Sequence, residues 1–169
     1  DTDVQMSRDK DGLITTTVDA SGTTTNVYYP SKWLKTETVS AGTSKTVTYQ
    51  YNGAGLVSDM AVSGESSFTY AYNARNEVSS VTNPNSVQIT FTYDNGGRRT
   101  RVTRPGSYIE YVYNARDWVT EVRNRTTGGT TRYDASYYYQ DGSLWDHTGN
   151  PVKRVENLAG STYTTTLRY

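Results

Sequence analysis

Few residues of this chain could do chemistry, and their spacing argues against most of it. His147 is the sole histidine, and cysteine is absent. A hydrolytic triad needs a serine and a carboxylate converging on the imidazole, and no companion motif accompanies His147. It sits instead at an inner place of DHTG, Asp146 to Gly149, which reads as a turn. One histidine without cysteine also leaves no usual ligand set for zinc. Asp9 and Asp11 in DKDG have the spacing that opens a calcium loop, but the later ligands and the closing glutamate are missing. Arg98, Arg99, Arg101 and Arg104 make a basic run beside Tyr93 and Tyr108. Strict strand alternation sets Arg99 and Arg101 on one face and Arg98 on the other, which splits the charge. Cross-strand pairing with acidic neighbours is the expectation, not a nucleic-acid groove.

Trp33, Trp118 and Trp145 are the stronger binding candidates, because aromatics on a β-surface stack on sugars or anchor a protein partner. The plainer expectation is that Trp118 fills the sheet face beside the NARD turn and that Trp33 replaces a turn glycine while covering a neighbour. Trp145 differs. It follows Tyr139 within the stretch QDGSLW, Gln140 to Trp145, which reads as an inserted hairpin. Loops projecting from a rigid scaffold are where binding arises, so a ligand surface would centre on Trp145 with Tyr139, Trp118 and Trp33. Asn124 opens the sequon NRT, a glycosylation acceptor only in a eukaryotic secretory setting.

The elements that must position these residues are strands. Of 169 residues 34% are hydrophobic and 16 are Tyr, against 2 Phe and 2 Met, with Thr, Ser and Val filling much of the rest. Such residues suit a pleated, half-buried surface, and Gly and Asn suit tight turns, so the chain is read as all-β and long enough to bury a core. The 17 basic and 17 acidic residues cancel, leaving no global field toward nucleic acid or an anionic membrane. No apolar run is long enough for membrane insertion as a helix, and no secretory leader is recognisable at Asp1.

Periodicity organises the whole chain. TYAYNARNEV from Thr69 is nearly repeated by EYVYNARDWV from Glu110. Around them runs a series of anchors, Arg8, Tyr29, Tyr51, Tyr72, Tyr93 and Tyr113, spaced 21, 22, 21, 21 and 20 residues apart. Before the anchors, residues alternate as Val47, Tyr49, Tyr51; Phe68, Tyr70, Tyr72; Ile89, Phe91, Tyr93; and Ile109, Tyr111, Tyr113. A period of two is one face of a strand. After the anchors come DKDG, NGAG, NARN, DNGG and NARD, the chemistry of a type I turn closing into a bulge. Nine places past the anchors stand Met60, Val81, Val102 and Val122, which mark a second strand. Pro30 in YYPSKW departs from the pattern. Ala135, Tyr137 and Tyr139 form another first strand, whose turn is delayed to DHTG by the insertion near 140–145. Thr165, Leu167 and Tyr169 begin an eighth unit.

FTYDNGGRRTRV, Phe91 to Val102, resembles the RHS/YD repeat, whose signature is Tyr-Asp-x-x-Gly-Arg; HTGNPVKRV from His147 resembles its Gly-Asn variant. NARNEV and NARDWV have lost the Gly-Arg pair. The resemblance implies an array of about seven antiparallel β-hairpins of about 21 residues stacked side by side into a curved, spiralling sheet. It implies the hollow shells of bacterial Rhs proteins, toxin complexes and teneurins, which enclose a C-terminal effector in the toxins and belong to an adhesion receptor in teneurins. Nothing here matches the self-cleaving region that ends the toxin shells, so that activity is not carried over.

The expectation is thus a single array over 1–169, a fragment of a larger shell or a divergent short array, without enzymatic activity or cofactor, secreted or at the cell surface. Its partners would be neighbouring repeats of the same parent chain, with an enclosed effector or a cell-surface glycan or protein beyond them. Uncapped terminal strands would favour edge-to-edge self-association. The alternative function is a glycan- or protein-binding module that uses the exposed aromatics.

Overall fold

The computed structural model describes residues 3–141, 144–145, 149–158 and 160–167, with the backbone alone at 141, 144 and 145. Every element among them is a β-strand. The chain forms two compact units, Asp1–Val87 and Gln88–Tyr169.

The first unit holds β1 (Gln5–Arg8), β2 (Ile14–Asp19), β3 (Gly22–Tyr28), β4 (Leu34–Ser40), β5 (Lys45–Tyr51), β6 (Val57–Val62), β7 (Phe68–Tyr72) and β8 (Val78–Thr82). Each of β1 to β7 pairs antiparallel with its successor. The second unit holds β9 (Gln88–Tyr93), β10 (Arg99–Arg104), β11 (Ser107–Tyr113), β12 (Val119–Thr126) and β13 (Thr131–Tyr138), again paired in chain order. A two-residue ladder, β14 (Gln140–Asp141) with β15 (Leu144–Trp145), then stands apart. β13 pairs instead with β16 (Lys153–Leu158), and β16 with β17 (Ser161–Thr166).

Register follows the sequence pattern closely. Tyr49 faces Met60, Tyr70 faces Val81, Phe91 faces Val102 and Tyr111 faces Val122, the aromatic two places before an anchor against the apolar residue nine places after it. These directly opposed pairs share one face, where an aromatic packed on a β-branched partner contributes roughly 0.2–1 kcal/mol. Arg8, Tyr51, Tyr72, Tyr93 and Tyr113 each pair with the residue six places later across a register shift, as Tyr72 does with Val78 and Tyr113 with Val119. The bulge follows from the turn, which returns one more residue than the facing strand can match.

Two expectations fail. In the second hairpin the residue that pairs six places ahead is Tyr28, opposite Leu34, so the anchor is Tyr28 and not Tyr29. Tyr29 takes the first place of the turn, and Lys32, not Trp33, takes the left-handed backbone position at φ 66°. The second concerns the core. Among the described residues only Ala135, Val152 and Ser107 are buried, and no large side chain is fully buried. Within each unit the strands form a single sheet layer, so ladder residues are half covered by each other and by no second layer among the described residues.

Candidate functional site

The turns explain why Asn or Asp opens them. In NARN, Oδ1 of Asn73 accepts the N–H of Arg75 at 2.9 Å and of Glu77 at 3.1 Å. The same two bonds recur at Asp9, Asn52, Asn83, Asp94 and Asn114. A short side-chain acceptor three bonds from Cα is what reaches both amides. The fourth place carries positive φ, at Gly12, Gly55, Asn76, Gly97 and Asp117 among others. Asn83-Pro84-Asn85-Ser86 forms the same turn between hairpins, with Ser86 at φ 61°. The sequence reading had missed it because no anchor tyrosine precedes it.

Calcium at DKDG is disfavoured by this geometry. Oδ1 of Asp9 is committed to two backbone amides, and Asp11 lies 3.6 Å from Lys32 Nζ. His147 lies outside the described residues.

The anchors bind hairpin to hairpin. The Tyr28 hydroxyl donates to the Ile14 carbonyl at 2.8 Å, Tyr51 to Leu34 at 2.8 Å, Tyr72 to Val57 at 2.7 Å, Tyr113 to Arg99 at 2.8 Å and Tyr139 to Val119 at 2.8 Å. Each acceptor begins the second strand of the preceding hairpin. Burial, above all, pushes the Tyr51, Tyr72, Tyr113 and Tyr139 hydroxyls above the ordinary tyrosine value. Tyr139 is thereby an anchor.

A second link starts one place after each turn. Trp33 packs on the next anchor, Tyr51, with ring centroids 5.1 Å apart, and lies where a Cβ on Gly55 of the next turn would meet it at 2.8 Å. Trp118 repeats this on Tyr139 at 4.7 Å and on Gly149, where a Cβ would meet Nε1 at 3.1 Å. Arg98, in the same place, lies 5.0 Å over the ring of Tyr113 and donates to Oδ1 of Asp117 at 2.6 Å and to the Asn114 carbonyl at 3.2 Å. Arg98 also holds its own turn, through Oδ2 of Asp94 at 2.6 Å. Burial works to raise the Asp94 carboxyl, but the Arg98 guanidinium and the amides of Arg98 and Gly96 outweigh it and hold the group below the usual carboxylate range. The residue after each of these turns therefore reads the fourth residue of the next: tryptophan over glycine, arginine to aspartate.

The remaining arginines correct the alternation argument. The register shift between Arg99 and Arg101 puts them on opposite faces. Arg99 lies over Phe91 and Tyr111, at 5.9 and 5.5 Å, while Arg101 stacks on Tyr108 at 3.7 Å and approaches Glu110 at 3.7 Å. Arg125 meets Asp134 at 3.1 Å, and Arg123 pairs with Glu121. Arg101, Arg123 and Arg125 thus have acidic neighbours, while Arg99 lies over aromatic rings. Asn124 is a half-buried, paired strand residue whose Oδ1 is covered. Tyr133 donates to Oε1 of Glu156 at 2.6 Å, and burial, then that bond, drives its hydroxyl strongly upward; nothing in the sequence pattern had marked this pair.

Of the binding candidates, the backbone of Trp145 lies in β15 opposite Gln140 and its side chain is outside the described structure. Trp118 and Tyr139 line an open cleft of about 270 Å³ with Asn114, Arg116 and Gln140, and Arg116 lies 5.3 Å over the indole. Trp33 lines a cleft of about 290 Å³ with Tyr29, Ser31, Gln50 and Tyr51, and is 39% exposed.

Residues 72–109 match the family model of the RHS repeat. No curated protein matches the sequence. Among solved structures, the chain is similar to the crystal structure of TcdB2-TccC3-Cdc42, with a TM-score of 0.80 at 15% identity, over 98% of this chain and 10% of that one. It is also similar to the Photorhabdus luminescens Tc holotoxin pore with a mutated TccC3, at a TM-score of 0.79 and 15% identity, over 96% of this chain and 9% of that one. This chain spans about a tenth of those chains, and at such identity the likeness is one of fold.

Proposed function

We propose that this chain is a non-catalytic segment of a β-hairpin wall, part of an RHS/YD shell of a secreted or surface toxin carrier or adhesion protein. The observation that carries the reading is the anchor bond, in which the first strand of one hairpin donates a tyrosine hydroxyl to the second strand of the hairpin before it. Residues repeated at equivalent places commit their polar atoms to turns and to neighbours, which suits a surface whose product is its own continuity. A lone hairpin is barely stable in water, whereas stacked units share backbone bonds and cover one another's apolar side chains. The half-buried ladder fits a wall with water or another body against it. Neighbouring repeats are then the first partners, and an enclosed effector is the second. Electron microscopy of the complete gene product tests this. The expected image continues β1 and β17 into further hairpins around an enclosed volume; a free-standing domain on a linker would contradict it.

A further inference from the structure

The dipeptide Asn-Gly occurs twice in the chain, at Asn52-Gly53 and at Asn95-Gly96, and the fold treats the two differently. A glycine after asparagine leaves its backbone nitrogen open to the asparagine side chain, because no Cβ shields it. Asn52 stands at the first place of its turn, where Oδ1 accepts the N–H groups of Ala54 and Leu56, each at 3.0 Å. Its Cγ reaches the Gly53 nitrogen only after both bonds break, and the Gly53 N–H meets no acceptor among the described residues. Asn95 stands at the second place of DNGG, exposed, and its side chain makes no hydrogen bond among the described residues. The Gly96 N–H donates to Oδ1 of Asp94 at 2.9 Å. That carboxyl lies below its usual range and is ionised at neutral pH, so it is free of a proton and able to accept one.

We infer that Asn95 is a self-modification site, at which the DNGG turn converts asparagine to aspartate and isoaspartate with Asp94 as the base. The Gly96 nitrogen attacks Cγ of Asn95 and forms a new C–N bond, closing a five-membered succinimide, while its proton passes to Oδ1 of Asp94. The bond from Cγ to Nδ2 breaks, the departing nitrogen takes the proton back from Asp94, and ammonia leaves. Water then adds to either carbonyl of the ring and opens it, to aspartate or to isoaspartate. Water is the one co-reactant, and nothing is oxidised or reduced. Aspartate sets a second carboxylate beside Asp94. Isoaspartate instead adds a methylene to the backbone of a four-residue turn, which pulls Asp94 away from the amides of Gly96 and Arg98 and loosens the arginine that reaches Asp117. This chemistry proceeds whether or not the chain is part of a wall.

The test ages the folded chain at mildly alkaline pH and follows both asparagines by peptide mapping and mass spectrometry, with electron-transfer fragmentation to tell isoaspartate from aspartate. Asn95 is expected to convert about tenfold or more faster than Asn52, the factor that two hydrogen bonds on the Asn52 side chain impose. In concentrated urea the two rates are expected to converge, because the turns that distinguish them are gone. Asp94→Asn is expected to slow Asn95 about threefold or more by removing the base. This variant keeps the turn, since asparagine makes the same two backbone bonds in that place at Asn52, Asn73 and Asn114. Conversion of Asn52 as fast as Asn95 in the folded chain, a rate ratio unchanged in urea, or a rate at Asn95 indifferent to Asp94→Asn overturns the assignment.

Discussion

The Tyr72 hydroxyl donates to the Val57 carbonyl oxygen at 2.7 Å and so ties β7 to the start of β6, one hairpin upstream. Tyr70, two residues earlier on the same strand, makes no such bond among the described residues, though its ring faces Val81. Tyr72→Phe is therefore expected to destabilise the chain by about 1–2 kcal/mol, because a half-buried carbonyl loses its donor, and Tyr70→Phe by less than about 0.5 kcal/mol. Paired urea melts with unchanged slope measure the difference.

Alkaline pH removes the same bonds. Burial raises the hydroxyls of Tyr51, Tyr72, Tyr113 and Tyr139 above their ordinary value, and Tyr133 is raised further by its bond to Glu156. A raised folded value means that the folded chain retains protons which the unfolded chain releases. The stabilisation is complete below about pH 10, where free tyrosine begins to ionise, and declines as pH rises beyond it. Absorbance of tyrosinate and circular dichroism, followed together, are expected to change in one transition. Tyrosinate appearing well before structure is lost would count against the hydroxyl bonds.

Acid acts through Asp94. Its carboxyl is held below the usual range by Arg98 and two amides, so its contribution is present at neutral pH and is lost as pH falls through the depressed value. The thermal midpoint should fall below about pH 4, and Arg98→Ala should flatten that fall by removing the main cause of the depression. The link from Arg98 to Asp117, whose side chain is 76% exposed, should weaken with added salt.

Much of this was legible in the sequence, and the limits have physical causes. The 21-residue spacing and the apolar residue nine places past each anchor determined the hairpins, because side-chain period and turn length together set register. Tyr28 and Tyr29 were indistinguishable on type, and only the strand pairing shows which is the anchor. The face of Arg99 was misjudged because a bulge inserts a residue into a strict alternation. The reach of Trp33 to Gly55 and of Arg98 to Asp117 joins residues about 20 apart, a distance that adjacency in sequence does not reveal. Composition suggested a core, but one layer of hairpins leaves the tyrosine ladder half covered.

Glycine substitutions separate backbone strain from collision. A Cβ on Gly22, at φ 144°, would collide with the Ser40 carbonyl oxygen, which is backbone and fixed by the pairing of β4 with β3. Gly12, at φ 82°, has nothing within 4 Å. Gly12→Ala is expected to cost about 1–2 kcal/mol for the left-handed conformation alone. Gly22→Ala should cost distinctly more, about 3 kcal/mol or above, as overpacking adds to strain. Thermal melts of the two variants decide it.

The central claim is that each hairpin is held chiefly by its neighbours, and native-state hydrogen exchange resolved to single amides tests it most directly. The account predicts graded protection within each unit, with exposed β1 and β17 exchanging first and inner strands such as β6 and β11 last. Tyr72→Phe should accelerate exchange in β5–β8 and leave β1 and β2 as they were. Uniform protection across all strands, or an effect of Tyr72→Phe spread equally over the chain, would contradict it.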